Sequence, residues 1–162
     1  MEDANARKSR IPTVTDLVTL CRSLNEHGAK YVIIGGLAVA HHGYMRATWD
    51  IDLLVDPEPE NVEKIRAALS YLADRAVLEV KPEDVKQYSV VRIGDELTID
   101  LMARACDVTY NAAIGDLDWV EIGDVRVPFL GARMLILTKQ SIRPQDLIDR
   151  QFLEEKLRSG RN

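Results

Sequence analysis

Asp50 and Asp52 are separated by one residue in the run DIDLLV. Side chains alternate along a strand with period two, so both carboxylates point to one face, with Cα atoms roughly 6–7 Å apart. Ile51, Leu53 and Val55 then occupy the opposite, buried face. Two like charges on one face repel, and Mg²⁺, which prefers carboxylate oxygens, relieves that repulsion. A third acid, Asp100, lies in LTIDLM; Thr98 shares its polar face, and Ile99 and Leu101 are its apolar neighbours. Upstream of the first two acids, Gly35-Gly36 follows the β-rich run KYVII. Without side chains, backbone N–H groups can approach a phosphate, and the start of a following helix adds partial positive charge. Taken singly, a D-x-D is often a solvated strand face and a Gly-Gly a tight turn. Together they describe a phosphate cradle beside a metal site.

Several elements must position these groups. Val14, Leu17, Cys21 and Leu24 mark one face of a helix, with Thr13 as N-cap and Gly28 as its stop. A strand over 30–34, a short helix over 37–42 closed by Gly43, and a strand over 50–55 follow. Val62, Ile65, Leu69 and Leu72 mark a helix over about 58–73. Residues 77–80 read as a short edge strand or loop. Segments 88–93 and 96–102 form a hairpin turning at Gly94-Asp95, and 118–128 a second one turning at Gly123-Asp124. The C-terminal third is helical over about 130–142 and 145–157, with Pro144 in the first turn of the last helix. The order of elements predicts an α+β domain, with a mixed central sheet flanked by helices. The hairpins and the lack of G-x-G-x-x-G argue against a dinucleotide-binding fold, and the lack of G-K-[ST] against a P-loop.

The chain has 162 residues, 46 % apolar and 29 % charged. This suits one globular domain over 11–158, preceded by a flexible segment over 1–10. No apolar run is long enough to span a bilayer. MEDANARKSR has no apolar core like that of a secretory signal, so a cytoplasmic location is expected. Cys21 and Cys106 form no C-x-x-C and read as reduced core thiols. The net charge of −5 argues against nonspecific nucleic-acid coating, though not against a local basic cleft. Basic candidates for an RNA surface (Arg7, Lys8, Arg10, Arg22, Lys156, Arg158, Arg161) gather at the terminal segments.

The stretch GGLAVAHHGYMRATWDIDLLV resembles the signature of the nucleotidyltransferase superfamily, which has the DNA polymerase β-like fold. The R-x-T-x-D-I-D form, with Arg46, Thr48, Asp50 and Asp52, is similar to the minimal nucleotidyltransferases and AbiEii-type toxins. LTKQSIRPQDLID resembles that branch's downstream helix segment and carries Lys139, Arg143, Asp146 and Asp149. The resemblance covers roughly residues 30–153. It implies transfer of an NMP from an NTP to an acceptor hydroxyl with release of pyrophosphate. Asp50, Asp52 and Asp100 would hold Mg²⁺ or Mn²⁺, Asp100 would also accept the acceptor's proton, and Gly35 and Gly36 would cradle the phosphates. Lys139 and Arg143 would neutralise the triphosphate, and Arg46 and Thr48 would contact nucleotide or acceptor. The implied partners are an NTP, an RNA, protein or small-molecule acceptor, and either a homodimer mate or a cognate antitoxin.

Other features have plainer readings. His41-His42 diverge by roughly 100° on a helix and suit a surface or supporting role better than one metal. Trp49 and Trp119 read as packing residues, and Asp146 and Asp149 as an exposed charge network with Arg143 and Arg150. A haloacid dehalogenase-type phosphatase also uses D-x-D, but the lead-in Arg-Ala-Thr-Trp is not an apolar strand. A module that binds Mg–NTP without turnover is the remaining alternative.

Overall fold

The computed structural model describes residues 9–160; positions 1–8 of the expected flexible segment, with Arg7 and Lys8, and Arg161 lie outside them. Helix α1 (Val14–Glu26) starts at a reciprocal cap. Asp16 N–H donates to the Thr13 hydroxyl at 3.2 Å, and Thr13 N–H donates to the Asp16 carboxylate at 2.8 Å. Gly28, with φ of +68°, lies just past its end. The chain continues through β1 (Tyr31–Ile34), α2 (Gly35–His41), β2 (Asp50–Val55) and α3 (Pro59–Leu69). A 3₁₀ turn over Ala76–Glu79 and a single helical turn, α4 (Asp84–Gln87), lead to β3 (Val91–Gly94) and β4 (Thr98–Met102). A two-stranded ribbon, β5 (Arg104–Ala105) and β6 (Val108–Thr109), precedes α5 (Tyr110–Ala113). Strands β7 (Leu117–Ile122) and β8 (Val125–Leu130) and helices α6 (Ala132–Leu137) and α7 (Pro144–Arg158) complete the fold.

Six strands form one mixed sheet in the order β3-β4-β2-β1-β8-β7. The β1–β8 and β2–β4 pairs are parallel; β1–β2, β3–β4 and β7–β8 are antiparallel. The expected α+β class with a mixed central sheet is therefore the fold found. Strands β1 and β2 supply Val32, Ile33, Ile51, Leu53, Leu54 and Val55 to the core, all fully buried. Burial of each such aliphatic side chain contributes about 1.5–3 kcal/mol.

The elements depart from the sequence expectation where caps and loops decide. The helix expected over 58–73 ends at Leu69, and 77–80 is neither strand nor loop but falls mostly in the 3₁₀ turn Ala76–Glu79, with Val80 extended after it. The first C-terminal helix, expected to reach 142, stops at Leu137, and the Thr138 hydroxyl donates back to the Leu135 carbonyl at 2.6 Å. The β3–β4 connection is not a two-residue turn at Gly94-Asp95. Gly94 pairs with Thr98, leaving the three-residue loop 95–97. Asp95 organises that loop from a buried position. Its carboxylate accepts the N–H groups of Asp74 (3.0 Å), Ala76 (2.9 Å) and Glu96 (2.7 Å). Burial opposes the charge, but these three donors outweigh it and hold the carboxyl below its ordinary range. Asp95→Ala strands three backbone donors and is expected to cost about 2–4 kcal/mol in urea unfolding.

Candidate active site

Strands β2 and β4 run parallel with Asp52 beside Asp100 and Asp50 beside Thr98. Period-two alternation then brings all three acids to one face. One oxygen from each of Asp50, Asp52 and Asp100 lies within 4.8 Å of the others. Asp100 is buried, while Asp50 and Asp52 are half-buried. Burial, then the charges of Asp100 and Asp50, push the Asp52 carboxyl up to about 7; Lys139 and Arg92 only partly offset this.

Glycine makes room for this cluster. Gly35 has a φ of +70°, and a Cβ there would stand 2.1 Å from Asp52 Oδ2 and 2.9 Å from Asp52 Cβ. A Cβ on Gly36 would stand 2.7 Å from the Thr48 hydroxyl and 3.2 Å from Arg46 Nη2. The glycines form the first turn of α2 rather than a loop ahead of it. Gly35→Ala therefore displaces Asp52 and strains the backbone. Chemistry that depends on the placement of Asp52 is expected to fall about 10²-fold, with a stability loss of only about 1–2 kcal/mol; parallel activity and thermal-unfolding assays read the two effects separately.

Gly35, Asp50, Asp52, Asp100, Lys139 and Arg143 line one cleft of about 530 Å³. Gly36, Arg46 and Thr48 do not line it; they pack behind it, where Gly36 admits the other two side chains. Lys139 reaches the cleft with its ammonium already paired, 3.0 Å from Asp149 and 3.8 Å from Asp146. Asp149, fully buried, also accepts Arg46 Nη2 at 2.9 Å, Arg46 Nε at 3.3 Å and the Gln145 amide at 2.9 Å. Burial would raise its carboxyl, but these bonds outweigh burial and hold it below its usual range. Asp146 and Asp149 are thus not an exposed network with Arg143 and Arg150, because α7 turns both acids inward onto Lys139. Arg150 instead donates to the carbonyls of Lys139 and Ser141.

The sequence reading missed Arg92. Its Nε and Nη2 donate to the two oxygens of Asp100 at 2.9 and 3.0 Å, and Nη2 also donates to Asp50 Oδ2 at 3.0 Å. A turn at Gly94-Asp95 would set Ser89 opposite Asp100; the three-residue loop sets Arg92 there. The available signal was the alternation Val91, Arg92, Ile93, which marks Arg92 as the polar position of β3.

Among the other side chains, His42 and Cys21 keep the roles expected of them, and Trp49, Trp119 and Cys106 do not. His42 donates through Nε2 to the Leu130 carbonyl at 2.9 Å, and its Nδ1 accepts from Lys156 at 3.1 Å. Both nitrogens are engaged, so His41, His42 and Asp118 do not form a ready metal site despite their proximity. Trp49 and Trp119 are exposed rather than packed; Arg126 lies 4.3 Å over the Trp119 ring. Cys21 is a buried free thiol, whereas Cys106 is exposed in a left-handed turn with φ of +51°. The described basic candidates are partnered: Arg10 with Asp16, Arg22 with Asp124, Arg158 with Glu155, and Lys156 with His42. No described helix is long and apolar enough to cross a membrane.

A mixed sheet presenting paired strand acids beside a glycine turn defines a nucleotidyltransferase-type fold. A candidate nucleotidyltransferase from Thermotoga maritima shares it, with a TM-score of 0.50, 13 % identity, and coverage of 93 % of this chain and 95 % of that one. Residues 13–156 match the family described as nucleotidyl transferase of unknown function (DUF2204), and the chain belongs to that family. No curated protein matches the sequence.

Proposed function

We propose that this cleft moves a nucleoside monophosphate from an NTP to an acceptor hydroxyl, in the manner of the AbiEii-type branch. The observation that carries the reading is the convergence of Asp50, Asp52 and Asp100 against Gly35 in one cleft. The acids fit a divalent cation: the donors are hard oxygens, Gly35 leaves no room for a Cβ beside them, and Asp52 carries charge at high cost. Asp50, Asp52 and Asp100 would hold Mg²⁺ or Mn²⁺, which supplies Lewis-acid stabilisation of phosphoryl oxygens.

This chain's own residues do the rest. Gly35 lets the triphosphate approach the backbone. Arg143, exposed at the cleft, meets phosphate charge there. Asp100 takes the acceptor hydroxyl's proton as the bond from acceptor oxygen to the α-phosphorus forms and the bond to the β-phosphate oxygen breaks. The products are the nucleotidylated acceptor and pyrophosphate. Arg46 from behind and Lys139 from the cleft share Asp149 and so fix α7 against the site.

One observation favours a binding module without turnover: Lys139 and Arg92 are already paired with acids. The test uses α-³²P-labelled NTPs with Mg²⁺ or Mn²⁺ and an extract containing RNA, protein and small molecules. The wild type runs beside Asp50→Asn. Label transferred by the wild type alone supports the enzyme and identifies the acceptor. NTP-dependent thermal stabilisation without transfer supports the module. Neither effect overturns both readings.

A further inference from the structure

Arg92 holds the same carboxylates that would hold a cation. Its fork covers both oxygens of Asp100 and reaches Asp50. The arrangement is lopsided: the Arg92 side chain is 62 % exposed and that of Asp100 only 8 %. The guanidinium therefore comes from solvent and caps a buried acid. It stands on β3, the edge strand, so no neighbouring strand hems it in on the far side. Four residue pairs already join β3 to β4 through the backbone, so this half-solvated bridge is not needed to pin the strand. Arg92 also lines the cleft with Lys139 and Arg143.

We propose that Arg92 is an exchangeable counter-ion: its guanidinium neutralises Asp100 and Asp50 until a divalent cation takes them, and then binds the incoming triphosphate. The inference rests on the nucleotidyltransferase reading of the same site. Its physical basis is charge. Three carboxylates in one cluster need a cationic partner, and a guanidinium and a divalent metal compete for the same lone pairs. Once released, the planar fork matches phosphate oxygens as well as it matched carboxylate. The arm moves by side-chain rotation alone, with β3 still paired to β4. The two ligands then arrive in a linked way, because cation entry frees the arginine that the triphosphate needs.

The test measures two affinities that must move in opposite directions. Mn²⁺ alone is titrated by electron paramagnetic resonance, and inorganic triphosphate by calorimetry at saturating Mn²⁺. Arg92→Gln is expected to bind Mn²⁺ about tenfold tighter and triphosphate about tenfold weaker than the wild type. Arg92→Lys keeps the charge without the fork, and is expected to fall between the two, binding Mn²⁺ about threefold tighter and triphosphate about threefold weaker than the wild type. Thermal midpoints check that each variant folds, and Arg92→Lys carries the test if Arg92→Gln does not. Unchanged or weaker Mn²⁺ binding by Arg92→Gln would overturn the proposal. So would unchanged triphosphate binding, or an equal loss in Arg92→Lys. If the wild type itself takes no Mn²⁺, the metal-site reading falls and this inference with it; a wild type that binds Mn²⁺ while Arg92→Gln shows no gain overturns only the inference.

Discussion

Asp52→Asn is expected to abolish transfer, by about 10³-fold or more, while making the metal-free protein more stable at pH 8. The two effects share one cause. Asp52 is held with Asp50 and Asp100 in a partly dry cluster, and its carboxyl is pushed from 3.8 up to about 7. The folded protein therefore binds this proton more tightly than the unfolded chain does. The stability penalty is absent below about pH 4, grows as pH rises, and is complete above pH 7. The full interval corresponds to about 4 kcal/mol, which solvent at the half-buried site reduces to roughly 1–3 kcal/mol. Metal-free wild type should thus lose stability between pH 5 and pH 8, and the asparagine variant should lose much less. Urea unfolding at the two pH values measures the difference. Saturating Mg²⁺ should raise the wild-type midpoint and leave the variant nearly unmoved. Wild-type transfer by the asparagine variant would remove Asp52 from the machinery.

Asp149→Ala should be the most destabilising of these substitutions, by about 3–5 kcal/mol. The residue is fully buried and satisfies Lys139, Arg46 and Gln145 together. Alanine leaves Arg46 and Lys139 without their shared buried partner. The pH dependence runs opposite to that of Asp52. The Asp149 carboxyl is depressed in the folded state, so its contribution is present above the unfolded carboxylate range and lost as pH falls. Wild type should lose this increment on acidification, and the alanine variant should lack it throughout. Adding Lys139→Met should recover part of the loss, because the stranded ammonium goes too. Denaturant curves for the four corners of that cycle provide the check.

What the sequence disclosed was chemistry confined to short windows. Asp50, Asp52 and Thr98–Asp100 could be assigned to shared faces because strand alternation is a local rule. Gly35 was legible because a strand followed by glycine restricts the possible turns. The partner of Arg46 was not legible, since Asp149 is 103 residues away and reaches it only when α7 packs home. The pairing of Lys139 was hidden for the same reason: its spacing in the chain says nothing of Asp146 and Asp149 until α6 and α7 fold together. Arg92 was hidden by a three-position shift in register, because the turn starts one residue later and is one residue longer than a two-residue turn at Gly94-Asp95. The single-turn helices α4 and α5 and the β5–β6 ribbon are too short to generate a period.

The two walls of the cleft are anchored unequally. The acids stand on β2 and β4, each of which has a bonded strand on both sides. Their backbone amides are expected to be among the slowest to exchange with solvent. The facing wall, Thr138 to Arg143, joins a six-residue helix to α7 and is held largely by side chains. Local opening is therefore expected first on the C-terminal side, read as faster amide exchange over residues 138–143 than in β2 and β4, with the spacing of the three carboxylates kept.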